Sequence, residues 1–322
     1  MQNFNVIGGG AWGTALAILA RQAGHNTTLW VREPEVVDVV NSEHLNPMFL
    51  PNVKLDPAIR ATVDIAEVAK AEALLLAVPA QFLRVTLQTF APHLDTNTPL
   101  VICAKGIELT SGALMSEVIN EILSDAQLAV LSGPTFAIEV ARGLPAAVTL
   151  ACYDTELGNR LCEALRTPRF RAYKSNDLIG AEIGGSVKNV LAIACGIVEG
   201  RGLGSNARAA LITRGLSEMA RLCVAKGGKP ETLMGLSGIG DLTLTCNAMQ
   251  SRNFSLGVAL GQNQLLPDIL DERKSVAEGV DTASAIRSLA DHIGLDMPIC
   301  RAVDAIVNAN TSIDEAISGL LA

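Results

Sequence analysis

The chain of 322 residues contains 25 lysines and arginines against 33 aspartates and glutamates, and its formal net charge is −8. Its length indicates about two domains of the usual ~100–200 residues each. An acidic chain without a long basic run does not provide the positive field that nucleic acids require, so any anionic ligand must be bound by a few locally placed cations.

Cysteine and histidine usage argues against a disulfide framework and against a metal site. The seven cysteines include no C-x-x-C pair, and the four histidines do not stand at metal-ligand spacing. This pattern favours reduced thiols in a cytoplasmic protein. The N-terminus Met1–Phe4 lacks the basic region of a signal peptide, and apolar runs such as Ala73–Ala80 are shorter than the ~18 residues of a membrane span. We therefore expect no membrane insertion.

The first element reads as a short apolar strand, a glycine-rich turn and a helix of small residues. Gly8, Gly10 and Gly13 have the spacing G-x-G-x-x-G. The first glycine permits a tight turn, the second lets a pyrophosphate approach the backbone, and the third lets the helix pack closely on the strand. The N–H groups and the positive dipole end of the helix then face the phosphates. In this strand-to-helix context the motif predicts a dinucleotide site, although a purely structural turn remains the alternative.

The end of the second strand bears on the choice of cofactor. The helix is expected over Thr14–Ala23, ending at Gly24, and the strand over Thr27–Val31, followed by Arg32 and Glu33. An acidic residue about 20 residues past the glycines usually binds the ribose 2′-hydroxyl of NAD. An arginine there can bind a 2′-phosphate and stack on adenine. Arg32 therefore favours NADP over NAD, with a solvated arginine as the alternative.

Further apolar strands and helical segments alternate along the first half. We expect helices over Val63–Ala71 and Gln81–Phe90, and strands over Ala73–Pro79, Leu100–Lys105, Ala129–Leu131, Ala146–Cys152 and Phe170–Tyr173. Strands without polar alternation indicate a parallel sheet covered on both faces. The predicted fold class is thus α/β, with a Rossmann-type, doubly wound, mostly parallel sheet forming a dinucleotide-binding domain in residues 1–175.

Two predicted strand ends offer further contacts, because ligands of such sheets bind beyond the carboxyl ends of the strands. Lys105 places an ammonium at one of them. Residues Ser132–Ala137, with the sequence S-G-P-T-F-A, form a strand-to-helix passage at another. Pro134 suits a first helical turn, and N–H groups around Gly133–Ala137 are candidates to face a ligand.

From Asn176 the periodicity becomes helical, which predicts an all-helical C-terminal domain over residues 176–322. The expected helices are Asp177–Val198, Ala207–Lys226, Asn253–Gly261, Thr282–Gly294 and Arg301–Asn308. The first of them contains Lys188 among small and apolar residues. This lysine either extends its ammonium to water or is desolvated with a lowered pKa, as catalytic lysines are.

Two more clusters in this half combine charge with turns or helix ends. Asp241 stands in the glycine-rich segment Ser237–Thr243, either as a turn residue or as part of a site. Ser251 is a candidate N-cap, and Arg252 adds a guanidinium at the same helix end. A helix N-terminus with an arginine suits a phosphate, although a capped helix with an exposed arginine remains the alternative.

Taken together, these segments resemble the bacterial-type NAD(P)-dependent glycerol-3-phosphate dehydrogenase family. The resemblance is collinear over the whole chain and covers Gly8–Ala17, Cys103–Glu108, Ser132–Ala137, Val187–Gly196, Gly238–Thr245, Ser251–Asn253 and Val276–Gly279. The ordered set of K-G-I-E, S-G-P-T-F-A, K-N-V, G-x-G-D-L and S-R-N is far more specific than any one motif.

The resemblance implies a role for each matching residue. It implies catalytic roles for Lys188 as acid/base, for Lys105 and for Asp241. Cofactor contacts are implied for Gly8, Gly10, Ala11, Trp12, Gly13, Arg32, Lys105, Ala137, Arg252, Val276 and Glu278. Substrate contacts are implied for Lys105, Gly133, Thr135, Lys188, Asp241, Ser251, Arg252 and Asn253. Ala11 departs from the serine that is frequent in relatives, but a backbone contact survives that change.

The implied reaction is reversible hydride transfer between NADPH or NADH and dihydroxyacetone phosphate, giving sn-glycerol 3-phosphate for glycerophospholipid synthesis. A homodimer in the cytoplasm is the usual expectation for the family, and no metal is needed. Two alternatives remain. One is a related NADP-dependent hydroxyacid or ketoacid reductase, which should lack the Ser251–Asn253 phosphate site. The other is a non-catalytic Rossmann redox sensor, which has no reason to pair Lys188 with Asp241.

Overall fold

The structure is a computed structural model that describes residues 1–272 and 277–321. The chain forms two compact units. The first comprises Met1–Ala104 and Met115–Leu178, and the second comprises Lys105–Leu114 and Ile179–Ala322. The segment that begins at Lys105 therefore groups with the helical part of the chain, although it follows a strand of the first unit.

The first unit contains a mostly parallel sheet, as predicted. Its strands are β1 (Phe4–Ile7), β2 (Thr28–Trp30), β5 (Arg60–Thr62), β6 (Ala73–Leu76), β7 (Leu100–Ile102), β8 (Leu128–Ser132), β9 (Ala146–Cys152) and β10 (Phe170–Ser175), with a separate pair of β3 (Leu45–Asn46) and β4 (Leu50–Lys54). The order is β10-β9-β8-β7-β6-β1-β2-β5. Only the β8–β9 pair of this sheet is antiparallel, so β9 and β10 run against the other strands.

The helices of the first unit include the three predicted over Thr14–Ala23, Val63–Ala71 and Gln81–Phe90, although the second of them is only Ile65–Val68. They are α1 (Ala11–Gln22), α2 (Pro34–Glu43), α3 (Ile65–Val68), α4 (Leu83–Phe90), α5 (Met115–Ile122), α6 (Ala137–Ala141) and α7 (Thr155–Ala164). Helix α1 begins at Ala11 rather than Thr14, because Gly10 in extended conformation is its N-cap. The placement of Pro134 in a first helical turn is wrong. Residues 133–136 precede the helix, and Phe136, in extended conformation, is the N-cap of α6.

The second unit is helical, as predicted. Its helices are α8 (Leu178–Gly200), α9 (Gly204–Ala225), α10 (Asp241–Thr245), α11 (Arg252–Gly261), α12 (Leu266–Glu272), α13 (Gly279–Ile293), α14 (Pro298–Ala309) and α15 (Ile313–Leu321). Within the described chain, α8 alone has the length and hydropathy of a membrane span, but its apolar window is 100% buried inside the protein. Packing in the protein core therefore accounts for its composition.

Glycines let α8 and α11 cross with their backbones in contact. A Cβ atom on Gly196 would lie 2.1 Å from the carbonyl oxygen of Phe254, and one on Gly257 would lie 2.1 Å from that of Ile193. Gly200 meets Gly261 in the same way one turn later. Because the contacts advance in the same direction along both helices, the N-terminus of α11 lies level with the middle of α8.

Candidate active site

A buried ion-paired cluster lies in the second unit around Asp241. Its carboxylate is fully buried, and its two oxygens accept from different lysines. The Nζ of Lys188 lies 2.5 Å from Oδ1, and the Nζ of Lys105 lies 2.7 Å from Oδ2. The Lys188 side chain is only 8% exposed. The desolvated alternative for Lys188 is therefore the right one, and the alternative in which its ammonium reaches water is wrong.

Local sequence explains why Asp241 meets Lys188. Gly184 stands four residues before Lys188 on α8, which places both on the same face of the helix. A Cβ atom on Gly184 would lie 2.1 Å from the carbonyl oxygen of Ser237. The absence of a side chain thus lets the π-helical turn Leu236–Gly240 approach the backbone of α8. Asp241, the first residue of α10, then comes opposite Lys188.

The loop Lys105–Leu114 brings the second ammonium to the same carboxylate. Ile107 and Leu114 form an isolated antiparallel bridge, and both side chains are fully buried in the hydrophobic core of the second unit. The N–H of Glu108 donates to the carbonyl of Ala113 and that of Gly112 to the carbonyl of Glu108. These contacts fix the loop on the helical core, and the Lys105 side chain is 14% exposed.

The surroundings tune the proton affinity of Lys188. Burial lowers the pKa of Lys188 from its ordinary value of 10.5 to about 8, opposed by the negative charge of Asp241 and assisted by the ammonium of Lys105. Desolvation disfavours the charged form of a lysine, which is how an ammonium becomes a usable acid near neutral pH. Lys188 therefore combines a positive charge with a proton that it can give up.

Thr245 is a member of the cluster that sequence reasoning did not single out. Its Oγ1 accepts from Nζ of Lys188 at 2.9 Å and donates to the carbonyl of Asp241 at 2.6 Å. Thr245 follows Asp241 by four residues on α10, so it shares a helix face with that carboxylate. The four-residue spacing between Asp241 and Thr245 was the signal in the sequence that could have identified this residue. The hydroxyl holds the Lys188 ammonium at a fixed position beside Asp241.

The N-terminus of α11 lies next to this cluster within the second unit. Ser251 is the N-cap of the helix, as predicted, and its Oγ accepts from the N–H of Phe254 at 3.2 Å. The Oδ1 of buried Asn253 accepts from the N–H of Gly279 at 3.0 Å. A Cβ atom on Gly279 would also lie 2.8 Å from the carbonyl oxygen of Asn189, the residue after Lys188. The first turn of α11 is thereby held beside the middle of α8, with Arg252 exposed at the helix end.

Two of the remaining predicted cofactor contacts precede α13. Glu278 is the N-cap of that helix, and its carbonyl oxygen accepts from the hydroxyl of Thr282 at 2.7 Å. It adjoins Gly279, which contacts Asn253. Val276 lies outside the described residues.

In the first unit the glycine-rich turn has the shape that a dinucleotide requires. Gly8 has φ +120°, and a Cβ atom there would lie 2.8 Å from the carbonyl carbon of Ala77. A Cβ atom on Gly13 would lie 1.8 Å from the carbonyl oxygen of Gly8, whereas one on Gly10 would meet nothing within 4 Å. The turn is therefore tightly packed on the protein side and open at the second glycine, where a pyrophosphate approaches.

The residues beside this turn fit the same ligand. No side chain caps α1 at Gly10, so the N–H groups at the start of this helix are available to a bound anion. Ala11 and Trp12 are half-buried in the first turn of α1. The indole Nε1 of Trp12 is buried and has no hydrogen-bond partner among the residues that the structure describes. Buried N–H donors are nearly always hydrogen-bonded, and the oxygen atoms of a bound cofactor are candidate acceptors for this one.

The Ser132–Ala137 passage leaves β8 at the same edge of the sheet as the glycine turn leaves β1, since both strands run parallel. Gly133 has φ +153°, and a Cβ atom there would lie 2.9 Å from Cα of Val148 on the neighbouring strand. The hydroxyl of Thr135 donates to the carbonyl of Gly133 at 3.2 Å. Ala137 then begins α6. The passage thus has the position predicted for a ligand-binding turn.

Comparison with protein families gives a match over nearly the whole chain. Residues 3–158 match the family model described as NAD-dependent glycerol-3-phosphate dehydrogenase N-terminus. Residues 177–318 match the one described as NAD-dependent glycerol-3-phosphate dehydrogenase C-terminus. Neither match includes the residues 159–176 between them.

Individual relatives give the same result. The chain is 59% identical to a glycerol-3-phosphate dehydrogenase [NAD(P)+] of Rhodospirillum rubrum, over 98% of this chain and 91% of that protein. It is 55% identical to that of Caulobacter vibrioides, over 99% and 97%. The crystal structure of glycerol-3-phosphate dehydrogenase from Coxiella burnetii is similar to this fold with a TM-score of 0.96 at 39% identity, over 99% of this chain and 98% of that one.

Proposed function

This chain belongs to the NAD-dependent glycerol-3-phosphate dehydrogenase family, and we propose that it reversibly reduces dihydroxyacetone phosphate to sn-glycerol 3-phosphate. The observation that carries the chemistry is the Lys188 ammonium, which has a pKa lowered to about 8 and is held by Asp241 and Thr245. The product would supply glycerophospholipid synthesis. The homologues are named for both nicotinamide cofactors, and the glycine turn of this chain fits either.

The proposed mechanism assigns proton and charge handling to the second unit. The nicotinamide, when bound, supplies or accepts the hydride. Negative charge develops on the ketone oxygen in the transition state, and the Lys188 ammonium stabilises that charge and then donates its proton. Lys105 orients the carbonyl and shares the positive charge. Asp241 holds both ammonium groups in place, because one carboxylate oxygen accepts from each.

The substrate phosphate is assigned to the helix N-terminus Ser251–Asn253. A capped helix N-terminus with an adjacent guanidinium is a favourable site for a dianion. Asn253 contacts Gly279, which in turn adjoins the carbonyl of Asn189 next to Lys188. A phosphate at this helix N-terminus would therefore place the ketone of a triose near the Lys188 cluster. Gly133 and Thr135 are proposed to contact substrate from the first unit.

The proposal extends to the roles of the two parts of the chain, the preferred cofactor, further cofactor contacts and the form of the enzyme. Residues 1–175 are assigned to dinucleotide binding and residues 176–322 to substrate binding and catalysis, with Lys105, Gly133 and Thr135 as substrate-contacting exceptions in the first range. Arg32 is assigned to the 2′-phosphate, which makes NADP the preferred cofactor. Ala11, Trp12, Lys105, Ala137, Arg252, Val276 and Glu278 are assigned to further cofactor contacts. A cytoplasmic homodimer without membrane insertion is the proposed form of the enzyme.

The direct test is oxidation of NADPH and NADH by the purified protein with dihydroxyacetone phosphate, followed by absorbance. Turnover with a 2-ketoacid instead would support the alternative hydroxyacid or ketoacid reductase. Cofactor binding without turnover of either substrate would support a redox sensor. The Lys188–Asp241 pair favours the dehydrogenase over the sensor, since a sensor needs no desolvated acid.

The pH dependence of kcat/KM should report the pKa of Lys188, because this parameter reflects ionisations of the free enzyme. Ketone reduction requires the protonated form, so its kcat/KM should be constant at lower pH and fall as pH rises through about 8. Alcohol oxidation requires the neutral amine, so its kcat/KM should rise with pH and level off above the same value. Steady-state rates in both directions across pH 6 to about 10 would measure the two limbs.

The other titratable groups around Lys188 make this assignment testable. They are Asp241, Lys105 and Cys246. The nearby Cys195 thiol and burial raise the pKa of Cys246 well above its usual value, so this thiol does not ionise near pH 8. The positive charge of Lys105 lowers the pKa of Lys188. Lys105→Met should therefore move the pH profiles of kcat/KM for both directions to higher pH. If neither profile moves, the group that titrates is not Lys188.

Recognition of the phosphate should be local, because the acidic chain has no broad positive field. A hydrogen bond to a charged group contributes about 1.5–3 kcal/mol. Dihydroxyacetone should therefore be a very poor substrate, with losses in kcat as well as in affinity, since remote binding energy positions the reacting carbon. Arg252→Ala should narrow the difference in kcat/KM between the two substrates, chiefly by impairing the phosphorylated one. Arg252→Lys should restore only part of the loss, because an ammonium lacks the fork of a guanidinium.

An unchanged KM for dihydroxyacetone phosphate in Arg252→Ala would mean that Ser251 only caps α11 and that the phosphate binds elsewhere. The exposed Lys229 of the same unit offers a control for loss of a positive charge away from this helix end. Lys229→Ala should leave the ratio of the two substrates as in the wild type.

A further inference from the structure

The end of β2 presents an ion pair between two consecutive residues. Both Nε and Nη2 of Arg32 donate to the same Oε1 atom of Glu33, at 3.0 and 2.7 Å. The Arg32 side chain is 72% exposed, whereas that of Glu33 is 22% exposed. One edge of the guanidinium is therefore directed at a carboxylate of the chain itself.

The backbone fixes where this pair lies. Glu33 is the N-cap of α2, and its carbonyl accepts from the N–H groups of Val36 and Val37. Strand β2 pairs in parallel with β1, with Trp30 opposite Ile7. The N–H of Gly8 also donates to the carbonyl of Trp30 at 3.1 Å. The glycine turn and the Arg32–Glu33 pair thus follow neighbouring strands at the same edge of the sheet. Neighbouring strands lie about 4.8 Å apart.

The adenosine ribose of a dinucleotide reaches this place when its pyrophosphate lies at the glycine turn. The two cofactors differ there by one group. NAD carries a 2′-hydroxyl, which donates to a carboxylate, and NADP carries a 2′-phosphate, which a guanidinium binds and a carboxylate repels. Arg32 and Glu33 provide both kinds of partner within one hydrogen-bonded pair.

We propose that Arg32 and Glu33 form an exchangeable pair that sets the balance between the two cofactors. With NAD, Glu33 accepts from the 2′-hydroxyl. With NADP, the 2′-phosphate replaces the Glu33 carboxylate as the partner of Arg32. Glu33 is thereby a specificity-determining residue that competes with the 2′-phosphate for one guanidinium. The inference rests on the proposed function, because it takes the glycine turn as the dinucleotide site.

Nearby acids do not play the same role. Glu35 is exposed in the first turn of α2, on the same helix end as Glu33. Asp64, after the neighbouring strand β5, accepts from the N–H groups of Ala66 and Glu67 and so caps α3. Glu35 therefore offers a matched control. Its removal changes the net charge and the α2 dipole environment as the removal of Glu33 does, whereas the Arg32 guanidinium pairs with Glu33.

The test is equilibrium binding by calorimetry, which requires no turnover. The probes are 2′,5′-ADP and 5′-AMP, which carry the two adenosine ends without a nicotinamide. In Glu33→Gln the affinity for 2′,5′-ADP should rise, because the carboxylate that competes with the 2′-phosphate for Arg32 is gone. The affinity for 5′-AMP should fall, because the amide is a weaker acceptor for the 2′-hydroxyl than the carboxylate. The ratio of the two dissociation constants should shift towards 2′,5′-ADP by about tenfold or more, the scale of one charge-assisted contact.

The control decides between a specific pair and a general charge effect. Glu35→Gln should change the ratio by less than about threefold, as screening attenuates an exposed charge. Equal shifts in the two variants, or an unchanged ratio in Glu33→Gln, would overturn the proposal. Arg32→Ala should weaken 2′,5′-ADP selectively. Equal loss for both probes would mean that Arg32 stacks on adenine without binding the 2′-phosphate, which also overturns the exchange.

Failure of the proposed function is visible separately. It would appear as no oxidation of NADPH or NADH with dihydroxyacetone phosphate, whatever the binding ratio. NADPH and NADH titrations followed by their fluorescence should reproduce the ratio of the two probes in all three variants. An effect on the probes that is absent from the full cofactors would overturn the assignment of the pair to cofactor choice.

Discussion

Replacing Lys188 by methionine should lower kcat for reduction of dihydroxyacetone phosphate by about 100- to 10,000-fold, the contribution of a positioned general acid. Methionine has a similar length and suits a site that is 8% exposed, so the change removes the charge and the proton with little loss of packing. Asp241 keeps Lys105 as its partner at 2.7 Å, which avoids an unpaired buried carboxylate. Stopped-flow measurement of NADPH oxidation at saturating substrate would give the chemical step directly.

Binding and stability measurements separate catalysis from folding in this variant. The dissociation constant of NADPH should stay near the wild-type value, because the predicted dinucleotide turn belongs to the first unit. Lys229→Met, at an exposed site of the second unit, should leave kcat unchanged. A loss of less than about tenfold in Lys188→Met, well below the range for a general acid, would make Lys105 or a water the better candidate.

Elements set by local periodicity were predicted most closely. The apolar run Ala146–Cys152 is strand β9 at both ends, and the strand Phe4–Ile7 with its glycine turn is where the spacing placed it. Hydroxyl capping is also local, so Ser251 was identified as the N-cap of α11 from its position alone. In these cases the residues that determine the structure lie within a few positions of one another.

What the sequence could not show are contacts between distant positions. Asp241 has no partner nearby in sequence, and its lysines stand 136 and 53 residues away. Lys105 follows a strand of the sheet, yet the buried pair Ile107 and Leu114 attaches its loop to the helical core. Whether Lys188 is desolvated depends on these contacts. The choice between an exposed and a buried ammonium therefore required the fold.

Pro134 illustrates a prediction that failed for a local reason. Proline suits the first turn of a helix by its fixed φ, but it suits extended turns equally well. Gly133 leaves β8 with φ +153° and Phe136 is extended at the N-cap, so the helix begins after the motif rather than within it. The sequence S-G-P-T-F-A is thus a turn between strand and helix.

Asp241→Asn should be the most damaging single change in the second unit. Asp241 is fully buried and holds two ammonium groups, so its neutralisation leaves buried positive charges without a counterion. Breaking a buried ion pair by removing one partner costs about 3–5 kcal/mol of unfolding free energy. Urea unfolding near neutral pH, followed by circular dichroism, would measure the loss.

The loss should depend on pH with a definite sign. Asp241 raises the pKa of Lys188, so the variant lysine should titrate below the wild-type value of about 8. Between that lower native pKa and the unfolded value of about 10.4, the unfolded state binds more protons than the native state. Stability therefore rises with pH in this window. The unfolding free energy of Asp241→Asn should begin to rise at a lower pH than that of the wild type.

Asp304 provides the matched control, because it is also a buried carboxylate of the second unit with an arginine partner. Its Oδ2 accepts from Nε of Arg287 at 2.5 Å, and its Oδ1 accepts from the amide of Asn308 at 2.7 Å. Asp304→Asn should lower stability but leave the pH limb of ketone reduction at about 8, where Lys188 sets it. Asp241→Asn should move that limb to lower pH, opposite to the shift expected for Lys105→Met. A limb that stays in place in both variants would show that the essential acid is a group other than Lys188.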